Sequence, residues 1–201
     1  IVVAAIREKE VFDWIKNNTG LKDDDENINA FAQVIFSQIL YTKAIKNYGI
    51  SKTITFHSSI KNSQIFTTGL FTNYSLRSII EKFDPEVPLD NLYINHIDGS
   101  YSAGRRREIL DEFKSSKYGI LSNSRCLTEG VDVPIIDSIY FVDPKNSLID
   151  IVQACGRALR KPKDVDQKIA YIILPILIPE GLDSEELFNS ESFEYVFNVI
   201  Q

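Results

Sequence analysis

The segment 91–124, NLYINHIDGSYSAGRRREILDEFKSSKYGILSNS, decides the fold of this chain. It opens with the short apolar run NLYINHID and closes with the run YGILSNS, and each run predicts a β-strand. The residues between them, 102–116, have a helical pattern. A strand, a helix and a strand in this order predict two parallel strands joined by a crossover helix.

The same alternation continues on both sides of this segment. Further strands are predicted at KTITFHS (52–58), DSIYFVD (137–143) and KIAYIILPI (168–176), and further helices over 59–72 and 146–160. This alternation predicts an α/β fold with a mainly parallel sheet and helices on both faces. The ligands of such sheets gather at the carboxyl ends of the strands.

Residues 1–47 have a different pattern. VFDWIKNN (11–18) and INAFAQVIFSQILYTKAIKNYG (28–49) place apolar residues at three- and four-residue intervals, so this segment is predicted to be helical, with Gly49 ending its last helix. We therefore expect three parts: a helical segment (1–50) that packs on or links to the sheet domain, the α/β domain (51–180), and an acidic helix or the start of a further domain (181–201).

The composition excludes several functional classes. The 201 residues carry a net charge of −6, which argues against coating nucleic acid by bulk charge but leaves room for a local basic groove. Cys126 and Cys155 lack metal-ligand spacing, so we predict no metal site and expect two free thiols in a reducing compartment. No apolar run reaches the ~18 residues that span a bilayer, and we expect a cytoplasmic protein without a membrane partner. Because the chain contains no Met, we expect it to belong to a longer polypeptide.

The stretch DIVQACGRALRKP (150–162) places three polar side chains on one stripe of the last predicted helix. Gln153, Arg157 and Arg160 are spaced at i, i+4 and i+7. A solvated helix face explains such a stripe. An anion site explains it as well, because two guanidiniums one turn apart can grip phosphate oxygens.

The loop SNSRCLTEGVDVP (122–134) precedes this helix and directly follows a predicted strand. Gly130 permits a tight turn or a close backbone approach, and Asp132 offers a carboxylate to a hydroxyl such as that of a ribose. Taken alone, Asp132 is interpreted as an ordinary turn residue. Its pairing with the arginine stripe favours a nucleotide contact.

These stretches resemble the motifs of superfamily 2 helicases and translocases. TITFHSS (53–59) resembles motif IV, SNSRCLTEGVDVP resembles motif V, and QACGRALR (153–160) matches the Q-x-x-G-R-x-x-R form of motif VI. HIDGSYSAGRRREILDEFK (96–114) resembles the family's strand, small-residue turn and arginine-led helix. The sequence TEGVD is most similar to the branch that contains restriction-enzyme motor subunits and related bacterial helicases of the DEAD/DEAH type.

The resemblance implies the second of two RecA-like domains, a three-layer sandwich that faces its partner across an ATP site. Arg160 would then be the arginine finger on the γ-phosphate and Arg157 its companion, while Gln153 would contact the nucleotide or the facing catalytic groups. Gly130 and Asp132 would approach the ribose. ATP and Mg²⁺ would be bound mainly by the N-terminal RecA-like domain of the same polypeptide.

The resemblance also implies contacts with nucleic acid, and its branch favours DNA. Ser124 stands where the family has a threonine that bonds a nucleic-acid phosphate. Phe56, His57 and Ser58 of motif IV would lie near the path of the strand. Arg106 aligns with the family's arginine at the start of its helix, where a helix-start salt bridge is an equally good interpretation.

The leading hypothesis is the C-terminal motor domain of an ATP-dependent DNA helicase or translocase, acting in restriction or in a mobile element. The chain contains neither a G-x-x-x-x-G-K-[ST] phosphate loop nor an Asp-Glu-x-[Asp/His] run, so we expect no ATP hydrolysis by the chain alone. The alternative is a non-catalytic RecA-like scaffold or nucleic-acid-binding module. A doubly wound nucleotide-binding enzyme of another kind is weaker, because no G-x-G-x-x-G follows a strand.

Overall fold

The computed structural model describes residues 2–19, 28–69, 74–83, 91–124, 127, 135–143, 156, 168–178 and 180–181. The strands of this part of the chain are β1 (Val2–Arg7), β2 (Lys52–Phe56), β3 (Leu92–His96), β4 (Tyr118–Asn123), β5 (Ser138–Phe141) and β6 (Tyr171–Ile178). Its helices are α1 (Glu8–Thr19), α2 (Ile28–Tyr48), α3 (Ile60–Thr68), α4 (Leu76–Phe83) and α5 (Ala103–Ser115).

The described strands form one sheet in the order β1-β6-β5-β2-β4-β3, and every neighbouring pair is parallel. The segment 91–124 forms the β3-α5-β4 unit that its sequence predicts, with Leu92 opposite Tyr118. The strands β2, β4 and β5 are buried along almost their whole length. Parallel strands with helices on both faces have this pattern of burial.

Alternate side chains of the strands enter two separate hydrophobic cores. Tyr140 and Ile173 pack in the core that also contains residues of α1, α2, α3 and α4. Phe141 and Leu174, their neighbours in sequence, pack in the second core with Ile109 of α5. Because successive strand residues point to opposite faces, the sheet lies between two helical layers. The predicted α/β three-layer sandwich with a parallel sheet is confirmed.

The first residues of the chain differ from the prediction. Residues 2–7 were expected to be helical, but they form β1, which pairs in parallel with β6 from Val2 opposite Ile173 to Arg7 opposite Ile178. A run of six residues, five of them apolar, is too short to display a helical period, and β6 supplies its backbone partners. The helices predicted within 11–18 and 28–49 are confirmed as α1 and α2.

The predicted helix 59–72 is also shorter than expected. Helix α3 begins after Ser59, whose side chain accepts a hydrogen bond from the N–H of Asn62, and it ends at Gly69, which has a φ of 71°. A Cβ at Gly69 would lie 2.4 Å from the backbone nitrogen of Ser75. Only glycine fits this turn. Helix α4, which follows it, was not predicted from the sequence.

Two charged side chains fix the amino-terminal end of β2. The Asp137 carboxylate accepts hydrogen bonds from the backbone N–H groups of Ser51 (2.8 Å) and Lys52 (2.9 Å). Lys52 is buried, and its ammonium donates to the carbonyl oxygens of Phe113 and Ser116 at the end of α5. These contacts stabilise the side of the sheet at which the strands begin. We call the opposite side, where the carboxyl ends of the strands lie, the ligand edge, because parallel sheets bind their ligands there.

Candidate functional site

The carboxyl ends of four strands meet at one edge of the sheet. Phe56, the last residue of β2, lies opposite Asn123 of β4 and Phe141 of β5. The pairing continues beyond the strands, because the N–H of His57 donates to the carbonyl of Asn123 at 2.9 Å. On the other side of β4, the N–H of Ile97 donates to the carbonyl of Ser122 at 2.8 Å. The segments 57–59, 97–100, 124 and 142–143 therefore share the ligand-binding edge of the sheet.

Asp143 ties the end of β5 to the start of α3. Its Oδ2 accepts hydrogen bonds from the backbone N–H of Ser58 (2.7 Å), from the Ser58 hydroxyl (2.9 Å) and from the Asn62 side-chain amide (3.3 Å). The Asn62 amide also donates to the Ser58 hydroxyl at 3.0 Å. A carboxylate at the amino end of a helix is electrostatically favourable. Asp143 thus fixes the loop 57–59 in one conformation.

His57, the first residue of this loop, is buried and only 2% exposed. Its Nε2 lies 3.0 Å from the Thr55 hydroxyl, and its ring is 5.1 Å from the ring of Phe66. Burial lowers the pKa of His57 to about 3, although the Asp143 carboxylate acts in the opposite direction. The imidazole is therefore neutral at neutral pH.

The other two residues predicted at the ends of β2 and β4 have different surroundings. Phe56 is 1% exposed and its ring stacks on that of Phe141 at 5.6 Å, so its side chain belongs to the core. Ser124 directly follows β4 and is 7% exposed, and its hydroxyl has no hydrogen-bond partner among the described residues. Its contact with a phosphate stays a prediction.

A buried chain of hydrogen bonds, which the sequence analysis missed, joins three elements of this edge. Asp98 Oδ2 lies 2.8 Å from His96 Nε2, His96 Nδ1 lies 2.6 Å from the Ser63 hydroxyl, and Ser63 lies 2.6 Å from the Ser122 hydroxyl. The order Asp, His, Ser is that of a hydrolytic triad, but Ser63 is fully buried and cannot attack a substrate. The chain instead links α3 to the ends of β3 and β4.

Asp98 also fixes the turn that leads to α5. Its Oδ1 accepts hydrogen bonds from the N–H (2.7 Å) and the hydroxyl (2.5 Å) of Ser100. Burial opposes the charge of Asp98, but the hydrogen bonds from Ser100 and His96 outweigh it, so the pKa of the carboxyl lies below its usual value. One stretch of the sequence indicates this turn: HIDGS (96–100), which belongs to a segment that resembles the helicase family.

Arg106 is half-buried near the start of α5. Its neighbours are paired on the helix surface, Arg105 with Glu108 at 2.6 Å and Arg107 with Asp111 at 3.9 Å. No carboxylate of the described residues lies within salt-bridge distance of Arg106 itself. The salt-bridge interpretation thus has no support in this part of the chain, and a contact of Arg106 with nucleic acid stays a prediction.

A cavity of about 270 Å³ opens beside the loop 57–59. It lies between α2, α3 and the end of β5. The described residues that line it are Gln33, Val34, Ser37, His57, Asn62, Ile65, Phe66, Val142 and Asp143.

The predicted nucleotide contacts lie outside the described residues. These are Gln153, Arg157 and Arg160 of the last predicted helix, and Gly130 and Asp132 of the loop before it. Gly156, between them, is helical and exposed. Within the ranges described above, no cluster of three or more His, Cys, Asp or Glu side chains could hold a metal ion, and no helix is both long and apolar enough to cross a membrane.

The fold and the motif order agree with one protein family. The family model described as "Helicase conserved C-terminal domain" matches residues 35–162, well over half of the chain. The chain therefore belongs to this family, the second RecA-like domain of superfamily 2 helicases and translocases. The resemblance seen in the sequence is confirmed.

Solved structures support the same assignment. The chain is 30% identical to the "ATP-dependent Type ISP restriction-modification enzyme LlaBIII bound to DNA", with a TM-score of 0.71, and the match covers 99% of this chain and 13% of that one. The structure of T4 UvsW has a TM-score of 0.51 at 14% identity over 99% of this chain and 38% of that one, which shows the fold alone.

Curated relatives are longer than this chain. IRC3 of Saccharomyces cerevisiae is 26% identical over 152 residues, which are 74% of this chain and 21% of IRC3. DDX55 of Danio rerio, named an ATP-dependent RNA helicase, is 32% identical over 75 residues, which are 37% of this chain and 12% of DDX55. The chain thus spans about a fifth or less of these relatives.

Proposed function

We propose that this chain is the C-terminal motor domain of an ATP-dependent DNA helicase or translocase, which works with an N-terminal RecA-like domain of the same polypeptide. One observation carries the proposal: the pairing of Phe56 with Asn123 places Ser124, directly after β4, beside the loop 57–59 at the carboxyl ends of the strands. A serine hydroxyl with no partner among the described residues suits a phosphate of a nucleic-acid strand.

The preference for DNA is supported by the restriction–modification enzyme described above. That enzyme was solved bound to DNA, and the similarity extends over 99% of this chain. The RNA helicase DDX55 supports the opposite choice, but its match covers 37% of this chain. DNA is therefore the substrate that the similarities favour, with restriction as one setting for the motor.

The nucleotide side of the proposal depends on the arginine stripe. Arg160 acts as the arginine finger and Arg157 as its companion on the phosphates, while Gln153 contacts the nucleotide or the facing catalytic groups. Gly130 and Asp132 approach the ribose. ATP and Mg²⁺ are held mainly by the N-terminal domain, and the sequence of motif VI together with the family match supports these assignments.

The test is nucleic-acid-stimulated ATP hydrolysis by a polypeptide that contains this chain together with an N-terminal RecA-like domain. We expect stimulation by DNA and weaker stimulation by RNA of the same length. Single-stranded and duplex DNA, assayed separately, identify the form on which the motor acts. A rate that is independent of all three nucleic acids would support the non-catalytic scaffold instead.

A further inference from the structure

The cavity between α2, α3 and the end of β5 has no role in the contacts described so far. Phe66 and Val142 contribute to its apolar walls, and His57, Asn62 and Asp143 contribute polar groups. Asn62 and Asp143 both contact Ser58 directly. Because His57 belongs to the loop 57–59, the cavity adjoins this loop, beside which the proposed nucleic-acid strand passes at Ser124.

Three polar atoms of these lining side chains remain without a hydrogen-bond partner among the described residues. They are Nδ1 of His57, Oδ1 of Asn62 and Oδ1 of Asp143, since the contacts of these side chains use Nε2, Nδ2 and Oδ2. The two oxygens can only accept hydrogen bonds. A ligand that fits this wall must therefore bring hydrogen-bond donors, either N–H or O–H.

Size and charge restrict the ligand further. A cavity of about 270 Å³ lies just below the ~300 to 1,000 Å³ that pockets for drug-sized ligands occupy, so it suits a small ligand group. The Asp143 carboxylate repels phosphate, and His57 adds no positive charge because burial lowers its pKa to about 3. Val34, Ile65, Phe66 and Val142 give the cavity an apolar lining, which favours a ligand with a nonpolar face. A neutral heterocycle with an amino group meets all of these conditions.

We propose that this cavity binds a single nucleobase with an exocyclic amino group, turned out of a strand whose backbone passes Ser124. The apolar walls pack against the faces of the base, and Asp143 and Asn62 accept hydrogen bonds from its amino group. Thymine carries a carbonyl in place of the amino group of cytosine, so the cavity discriminates between these two bases. This inference rests on the proposed contact between the sheet edge and nucleic acid.

The experiment compares the binding of three labelled single strands of equal length by fluorescence anisotropy, with a polypeptide that contains this chain together with an N-terminal RecA-like domain. The strands contain deoxycytidine, thymidine or abasic sites throughout. We expect the cytosine strand to bind about tenfold more tightly than the other two, because the contacts of one base contribute ~1 to 3 kcal/mol. Equal affinity for all three strands would overturn the inference and leave the proposed function intact. A failure to bind any strand would overturn the proposed function itself.

Two cavity variants and one control complete the test. Val34→Phe fills the cavity from α2 and Val142→Phe fills it from the end of β5, so that each variant removes the preference for cytosine and leaves the affinity for the abasic strand unchanged. Ile169→Phe enlarges a side chain that is 72% exposed outside the cavity, and it retains the preference. The two cavity variants change different elements. If one of them fails to fold, the other still tests the inference. Retained preference in a folded cavity variant contradicts base binding, and so does an equal loss of affinity for all three strands.

Discussion

Two serines at the ligand edge have different hydrogen-bonding states. The hydroxyl and the backbone N–H of Ser58 both donate to Asp143, whereas the hydroxyl of Ser124 has no partner among the described residues. Within the described part of the chain, a phosphate therefore competes with a carboxylate at Ser58 but with no other acceptor at Ser124. Of the two, Ser124 is the better candidate for a direct contact.

Substitution of Ser124 tests this difference. We expect Ser124→Ala to weaken the binding of single-stranded DNA about tenfold, the effect of losing one hydrogen bond to a charged group. The matched control is Ser115→Ala at the end of α5, on the opposite edge of the sheet, which should bind DNA as the unsubstituted chain does. Equal affinity of the two variants in an anisotropy titration would refute a role for Ser124.

The buried neutral His57 makes stability depend on pH. Its folded-state pKa of about 3 lies below the value of 6.5 in the unfolded chain. Stability from His57 is therefore complete above pH 6.5 and is lost as the pH falls, because the unfolded state binds the proton first. Between pH 7 and pH 5 we expect the free energy of unfolding to fall by about 2 kcal/mol more in the unsubstituted chain than in His57→Gln. Parallel curves from urea denaturation would contradict this.

At the scale of elements, glycine separates α3 from α4. Gly69 has a φ of 71°, and an added Cβ would meet the backbone of Tyr74 and Ser75 at 2.4 Å. We expect Gly69→Ala to lower the free energy of unfolding by more than about 1 kcal/mol. Gly104→Ala is the matched control, because Gly104 lies in the first turn of α5 with nothing within 4 Å of an added Cβ. It should be neutral or stabilising, and a larger loss at Gly104 in thermal melts would be inconsistent with this structure.

The elements that were predicted correctly carry their signal locally. The β3-α5-β4 unit has two apolar runs and a helical pattern within 91–124, and each is long enough to show its own period. The strand β1 has no such signal, because its six residues run directly into α1 at Glu8. The break between α3 and α4 depends on the conformation of Gly69 rather than on a change of composition.

The contacts within the candidate site could not be predicted from the sequence, because they join residues that are far apart along the chain. Asp143 and Ser58 are 85 residues apart, and Ser63 and His96 are 33 apart. The family motifs identified the ends of β2 and β4 as functional positions, but they did not show that Phe56 faces the core. Only the packing of the sheet brings these side chains together or buries them.

In the molecule as a whole, the amino-terminal and carboxyl-terminal ends of the strands have different roles. Asp137 and Lys52 use their charges to fix the amino-terminal edge. The carboxyl-terminal edge carries the loop 57–59, Ser124 and the cavity. In the proposed motor, a nucleic-acid strand lies along this second edge, and the arginine stripe meets a triphosphate held by the other RecA-like domain.

The most direct test is the DNA-stimulated rate of ATP hydrolysis by the Arg160→Ala variant. The substitution is introduced into a polypeptide that contains both RecA-like domains. Loss of an arginine finger costs ~10³ to 10⁵ in rate, so we expect turnover to fall by that factor while the melting temperature stays unchanged. Arg107→Ala is the control, because Arg107 is 86% exposed on α5. A rate for Arg160→Ala equal to that of Arg107→Ala would contradict the account.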